Sequence, residues 1–302
     1  MPEGLIVKAL SGYYYVLPDE GGVTIQCRAR GIFKNRGESP LVGDRVLYDL
    51  TENGEGMVQE LYPRSTELIR PPIANVKQAI LVFSLAEPAL NLQLLDKFLV
   101  HTEYAGLTNV ICMTKLDLLD DSDAKIREEG RKAAKAIELY KQIGYQVITT
   151  SSRQDVGIVE VRDALANTIS VFSGQSGVGK STMINRIVPG LKLETNEISM
   201  KLGRGKHTTR HVELIHLENG GVVADTPGFS QLDFLNMEPE ELGSCFIEFT
   251  KYAPQCKFRG CLHQNEPKCA VIQATEKGEI AQSRHEHYLQ FLVEMKDRKR
   301  RY

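Results

Sequence analysis

The octapeptide Gly174-Gln175-Ser176-Gly177-Val178-Gly179-Lys180-Ser181 satisfies the pattern G-x-x-x-x-G-K-S/T, and no other stretch of the 302 residues constrains the fold as tightly. Such a loop needs a strand before it and a helix after it. Ile169 to Ser173 reads as a short buried strand, and Ser181 to Val188 has helical spacing. The glycines let consecutive backbone N–H groups converge at a helix N-terminus, where unpaired amides and the helix dipole attract phosphate. In that setting Lys180 is expected to reach β- and γ-phosphates, and the Ser181 hydroxyl, followed by Thr182, to meet Mg²⁺. A chance glycine turn would lack the flanking strand and helix.

The surroundings of this loop repeat its grammar. Gln78 to Ser84, Val110 to Met113 and Gln146 to Thr150 read as buried strands. Leu92 to Tyr104 and about Asp123 to Ile143 read as helices between them. Strands alternating with helices predict an α/β domain with a parallel sheet. Residues 1–70 differ: Leu5 to Val7, Tyr13 to Leu17, Val23 to Arg28 and Asp44 to Leu50 are short strand-like runs cut by glycine turns. Four or five such strands predict a small closed β-barrel of the OB-fold kind, after which Pro71-Pro72 is expected to mark a linker. The chain thus divides into 1–70, 71–235 and 236–302. No apolar run approaches the ~20 residues of a bilayer span and no signal peptide is visible, so a cytoplasmic chain with no membrane contact is expected. Lys+Arg 37 against Asp+Glu 39 gives a net charge of −2, which excludes a global basic field for nucleic acid.

Three further motifs accompany the phosphate loop. Val222 to Asp225 is an apolar strand ending in Asp225-Thr226-Pro227-Gly228, a D-x-x-G in which Asp225 would hold Mg²⁺ through water and the Gly228 amide would sense a γ-phosphate. Thr114-Lys115-Leu116-Asp117 follows the Val110 strand. A Lys-x-Asp at a strand end reads guanine, because the carboxylate accepts from the ring N–H and the exocyclic amine. Ser151-Ser152, after the strand Gln146 to Thr150, is placed to back it. Each of these is weak alone. The base-reading pieces also precede the phosphate loop, whereas ordinary small GTPases have them last.

With that order, the sequence resembles the RsgA family of ribosome-biogenesis GTPases, which are circularly permuted, and the resemblance covers the whole chain. It implies GTP hydrolysis with Mg²⁺, stimulated by the small (30S) ribosomal subunit during its late maturation. It places a switch loop at Gly203 to Arg210, with Thr208 or Thr209 donating a hydroxyl to Mg²⁺; Thr209 is the preferred ligand. That loop is basic, with Lys201, Arg204, Lys206 and Arg210, so contact with RNA phosphate is its other use. Thr114 departs from the general GTPase pattern, which has Asn there. An amide that bonds guanine and braces the phosphate loop is therefore expected to be lost, loosening base selectivity. In Ras-like enzymes a Gln after D-x-x-G orients the attacking water; here the position is Phe229, so His207 becomes the candidate catalytic group, with an rRNA contact as its alternative.

Cys256, Cys261, His263 and Cys269 put three thiolates and one imidazole within 14 residues, the donor set of a closed structural zinc site. A tail this short has too small a core to fold unaided, and one Zn²⁺ would supply the missing free energy. Cys27, Cys112 and Cys245 have no such neighbours and read as packing residues. From Lys251 onward 11 basic residues face 6 acidic ones, which makes this end the expected RNA-facing surface. The fold class is therefore multidomain: an N-terminal β-barrel (OB-fold), a central circularly permuted α/β P-loop GTPase domain, and a mainly helical C-terminal zinc-binding domain. The expected partners are GTP/GDP and the small ribosomal subunit with its rRNA, the chain itself being monomeric. Two rivals are a regulatory ATPase and a nucleotide-regulated RNA-binding protein in which GTP is mainly a structural ligand.

Overall fold

A computed structural model of the chain describes residues 1–69, 71–119, 124–188, 191, 212–225, 232, 234 and 237–299. In chain order the first elements are β1 (Glu3–Leu10), β2 (Tyr13–Pro18), β3 (Ile25–Ala29), α1 (Gly31–Asn35), β4 (Arg45–Leu50), β5 (Gly56–Leu61), β6 (Glu67–Ile69) and β7 (Pro72–Ala74). Then come β8 (Gln78–Ser84), α2 (Leu92–Tyr104), β9 (Thr108–Thr114), α3 (Ala124–Ile143), β10 (Gln146–Thr149), α4 (Ile158–Ala164), β11 (Ile169–Ser173) and α5 (Lys180–Ile187). The chain continues through β12 (Glu213–His216), β13 (Val222–Asp225), α6 (Ala270–Glu276) and α7 (Gln282–Lys299). These elements form two compact units: residues 1–80, 157–173 and 179–230 in one, and 81–156, 174–178 and 231–302 in the other.

In the first unit β1 pairs antiparallel with both β2 and β4, β2 with β3, and β4 with β5, while β3 runs parallel to β5. That pairing closes a five-stranded barrel. Alternation along the strands sends Ile6, Val16, Val46 and Val58 inward, all fully buried. Cys27 packs where its strand passes Gly56: a Cβ there would lie 2.4 Å from the Cys27 sulfur, so glycine makes the space. Burial pushes the Cys27 thiol up to about 11, in keeping with a packing role.

Pro71-Pro72 opens no linker. Pro72 begins β7, which pairs with β6 in a hairpin that seats Ile73 in the core. Sequence alone misleads here because proline usually ends strands, yet it is tolerated at the first residue of one. The hairpin is tied to the barrel by Arg64. Its guanidinium donates to both oxygens of the fully buried Asp44 at 2.8 Å each and to Glu67 at 2.7 Å, and these carboxylates hold the arginine above its ordinary range against the cost of burial. Farther along the chain β11 pairs parallel with β13, and β13 antiparallel with β12. β12 was not expected from the pattern; it is four residues long, and its Glu213 meets Lys8 of β1 at 2.9 Å.

In the second unit β8 neighbours β9, and β9 runs parallel to β10 with Ile111 opposite Val147. β8 is buried along its whole length, as its apolar run from Ala79 to Phe83 predicts. Asn91 caps α2 by accepting from the Leu94 N–H at 2.9 Å. The C-terminal segment has its own core, in which Leu242, Phe246, Phe249, Phe291 and Leu292 are buried together with Val100 of α2. Cys112 and Cys245 are likewise buried. Among the described residues no helix is long and apolar enough to cross a membrane.

One ion network crosses this unit. Arg284 of α7, 1% exposed, donates to Asp96 of α2 at 2.6 Å and, through two nitrogens, to Glu248 at 2.6 and 2.9 Å. Asp96 also accepts from the Tyr140 hydroxyl of α3 at 2.5 Å and pairs with His287 at 2.5 Å. Removing one partner from a buried pair strands the other charge, which costs about 3–5 kcal/mol. Arg284→Met should therefore lower the denaturant midpoint of the full-length chain by an amount worth about 3 kcal/mol or more. Equilibrium unfolding checks it, and a loss under about 1 kcal/mol would show that the network is dispensable.

Candidate functional site

The phosphate loop is shaped by three glycines in left-handed or otherwise restricted conformations. Gly174 has φ +147°, and a Cβ there would lie 2.1 Å from the Val82 carbonyl oxygen of β8, so no side chain fits. Gly177 and Gly179 have φ +78° and +100°, which glycine adopts without strain, and Gly179 caps α5. The loop delivers Lys180 and Ser181 to the first turn of that helix. Lys180 is partly buried, and desolvation pushes its ammonium down to about 8. An anion beside it would oppose that shift and favour the charged form.

The base-reading candidates gather at the end of β9. Lys115 takes a left-handed φ of +61°, and its ammonium donates to the Glu87 carbonyl. The chain then turns through Leu116–Leu119, where the Leu116 N–H donates to the Thr150 carbonyl at 3.1 Å. Asp117 follows with its side chain 12% exposed. The buried Ser151 hydroxyl donates to one Asp117 oxygen at 2.6 Å and accepts from the Gln154 N–H at 3.2 Å. Arg153 stands 3.6 Å from the other oxygen, a contact that the sequence pattern did not suggest. Ser152 is half-buried beside them.

Thr114 corrects an expectation. Its hydroxyl lies 2.6 Å from the Val178 carbonyl of the phosphate loop and 3.2 Å from the Phe83 carbonyl. The shorter bond is the brace that an Asn at this position was expected to be needed for. Thr114, Asp117, Ser151, Gly174 and Val178 thus come together within one compact unit. Asp225 ends β13. Its side chain, and the whole of His207, Thr208, Thr209 and Gly228, lie outside the described residues.

The four candidate metal ligands also converge. Their ligand atoms all lie within 4.8 Å of one another, with Cys256 Sγ 3.8 Å from Cys269 Sγ, and His263 Nδ1 3.3 Å from Cys269 Sγ and 3.6 Å from Cys256 Sγ. Zn–S bonds of about 2.3 Å in a tetrahedron give S···S edges near 3.8 Å, so the donor set fits zinc. Burial pushes the Cys269 thiol up to about 12 and the His263 imidazole down, so a thiolate here needs a cation beside it. Outer contacts fix the loop. Glu266 accepts from the N–H groups of Leu262 and Gln264 at 2.8 Å and Asn265 at 3.1 Å; although burial opposes ionisation, these bonds hold its carboxyl below the ordinary range. His285 donates to the His263 carbonyl at 2.8 Å and Tyr288 to the Leu262 carbonyl at 2.6 Å.

Known proteins resemble this chain over its full length. A family model described as RsgA GTPase matches residues 61–235, and one described as RsgA N-terminal domain matches residues 3–58. The chain is 53% identical over 302 residues to a Bacillus velezensis protein named small ribosomal subunit biogenesis GTPase RsgA, covering 100% of both chains. The chain belongs to the RsgA GTPase family. A Bacillus subtilis protein of the same name is 53% identical over 304 residues, again covering 100% of both. The solved structure titled "The crystal structure of YloQ, a circularly permuted GTPase" superposes with a TM-score of 0.85 at 46% identity, over 100% of this chain and 97% of that one. YjeQ from Thermotoga maritima gives 0.86 at 38% identity, over 97% and 98%. In this chain the Lys115–Asp117 segment precedes the phosphate loop.

Elemental analysis of the purified chain should find one Zn²⁺ per molecule. Cys261→Ala should lose that metal and loosen the C-terminal segment, read as early amide exchange across α6 and α7. A metal-free wild type with the same melting curve would exclude a structural zinc.

Proposed function

We propose that this chain hydrolyses GTP to GDP and phosphate while bound to the maturing small ribosomal subunit, whose rRNA it contacts as a monomer. The observation that carries the nucleotide half is the Thr114–Val178 bond joined to the Ser151–Asp117 bond. A guanine-type carboxylate and a phosphate loop are held in one register. The ribosomal half is supported by the named relatives. Of the three-part division, the boundary at residue 235 is supported by the end of the RsgA GTPase model, while the two family models, 3–58 and 61–235, meet near residue 60 rather than 70.

In this reading Asp117 accepts from the guanine ring N–H and exocyclic amine, with Ser151 fixing its rotamer. Lys115 and Leu116 shape the base cleft with Ser152. Backbone N–H groups from Gly174 to Thr182 wrap the phosphates, and Lys180 neutralises charge that grows on the γ-phosphoryl oxygens as water attacks and the bond to the β–γ bridging oxygen breaks. Ser181 and Thr209 would hold magnesium, with Asp225 acting through water; the ion supplies further neutralisation of the phosphates. Phe229 offers no polar group to orient water, so intrinsic hydrolysis is slow and His207 aligns the water once the subunit is bound.

Two experiments test this assignment. Asp117→Asn should weaken GTP binding by roughly 10- to 100-fold, the worth of charged hydrogen bonds lost, and should improve xanthosine triphosphate. Competition titrations check it, and equal competition by ATP and GTP against the wild type would overturn the guanine site. With purified small subunits, His207→Ala should cut stimulated turnover by about 100-fold while GTP affinity and subunit binding stay near wild type. Normal turnover at saturating subunit removes His207 from catalysis; collapse of subunit binding makes it an RNA contact.

A further inference from the structure

The metal-ligand loop carries a feature that neither nucleotide chemistry nor zinc binding uses. Phe258 lies between the ligands Cys256 and Cys261 and is 45% exposed, although a large aromatic ring in a short loop gains nothing by facing water. Lys257 and Arg259 flank it in sequence and are exposed; the Lys257 ammonium sits 5.1 Å from the ring centroid. Nearby, the Lys251 ammonium sits 5.1 Å from the Tyr252 ring. From Thr250 to Gln264 there are three cations, Lys251, Lys257 and Arg259, and no carboxylate.

The ring borders a cleft of about 690 Å³ that is lined by Arg259, Thr250 and Pro254 and, at its inner side, by the metal-ligand candidates Cys256, Cys261 and His263. Glu240 is the acid that faces it. Glu266, the nearest carboxylate in sequence, is engaged with three backbone N–H groups. An aromatic face, two adjacent cations and a half-open cleft form a stacking platform with phosphate anchors. That is the chemistry that takes an unpaired nucleotide rather than a duplex, because only an unstacked base offers its face. The loop is pinned at both ends by metal ligands, so the ring is presented with little conformational entropy left to lose.

Resting on the ribosomal-RNA reading above, we infer that Phe258 stacks an unpaired RNA base while Lys257 and Arg259 hold its flanking phosphates. The full-length zinc-loaded chain is titrated into a single-stranded hexaribonucleotide bearing one central 2-aminopurine. Stacking should quench the 2-aminopurine. Phe258→Ala and Phe258→Leu should each abolish the quench and weaken binding about tenfold, the worth of one base–aromatic stack, whereas Phe258→Tyr stays within about twofold. Lys257→Ala should lower the salt slope of log K by about one phosphate contact. All variants should keep one zinc, which separates lost stacking from a collapsed loop. Unchanged quench and affinity in Phe258→Ala would overturn the inference, and so would a loss that tracks zinc release.

Subunit-stimulated GTP turnover, measured on the same preparations, keeps the two readings apart. If stimulation is intact and the oligonucleotide is indifferent to Phe258, the stacking site falls alone. If the wild type neither binds nor responds to the small subunit, the ribosomal reading falls, and the stacking site with it.

Discussion

One buried hydroxyl ties the phosphate loop to the end of a central strand. Thr114 ends β9, and its side chain reaches 2.6 Å to the Val178 carbonyl of the phosphate loop, 64 residues away in the chain. A few residues on either side, Gly174 presses against the Val82 carbonyl and Asp117 is held by Ser151. None of these contacts is strong in isolation, since a neutral hydrogen bond contributes about 1 kcal/mol net. Their value is positional. Phosphoryl transfer is catalysed mainly by placement of charge, and a loop displaced by an ångström forfeits it. Threonine supplies the brace to the phosphate loop, though no amide for a base, because the acceptor lies within reach of a side chain two atoms long.

A different logic holds the C-terminal segment. Arg284, Asp96, Glu248, Tyr140 and His287 bring two carboxylates and a guanidinium out of water together. Desolvation consumes most of the attraction such groups offer, so the network adds little net stability over a well-packed apolar core. It does forbid alternatives. Any register that separates Arg284 from Asp96 leaves a bare charge in the interior. The aromatic cluster of Phe246, Phe249, Tyr288 and Phe291 supplies the apolar driving force around it.

The division between what the sequence disclosed and what it concealed follows interaction range. β8, α2 and β11 were legible almost to the residue, because a buried strand and an amphipathic helix write their period into consecutive positions. The cluster of Cys256, Cys261, His263 and Cys269 was legible because its spacing is short and its chemistry rare. β12 was missed because four residues carry too little pattern, and the β6–β7 hairpin because proline suggested a break. The Thr114 brace and the Arg284 network were invisible for another reason. Their partners lie 64 and 188 residues away, and no local rule pairs an arginine with one aspartate among many.

Circular permutation is tolerable on the same grounds. The contacts that define the nucleotide loops are long-range in either chain order, so moving the termini leaves each pair to be closed by packing rather than by sequence neighbourhood. What permutation changes is the element that follows the last strand. β13 here leads on to the segment that carries the Cys/His cluster, and that segment shares one compact unit with β9 and the Asp117 loop. Within that unit α7 is clamped to α2 by Arg284, and by Lys97 with Glu294 at 2.7 Å. α2 in turn packs on β9, the strand that ends in Thr114. The Cys256–Cys269 loop and Asp117 therefore belong to one compact unit, connected through packed helices and buried charge.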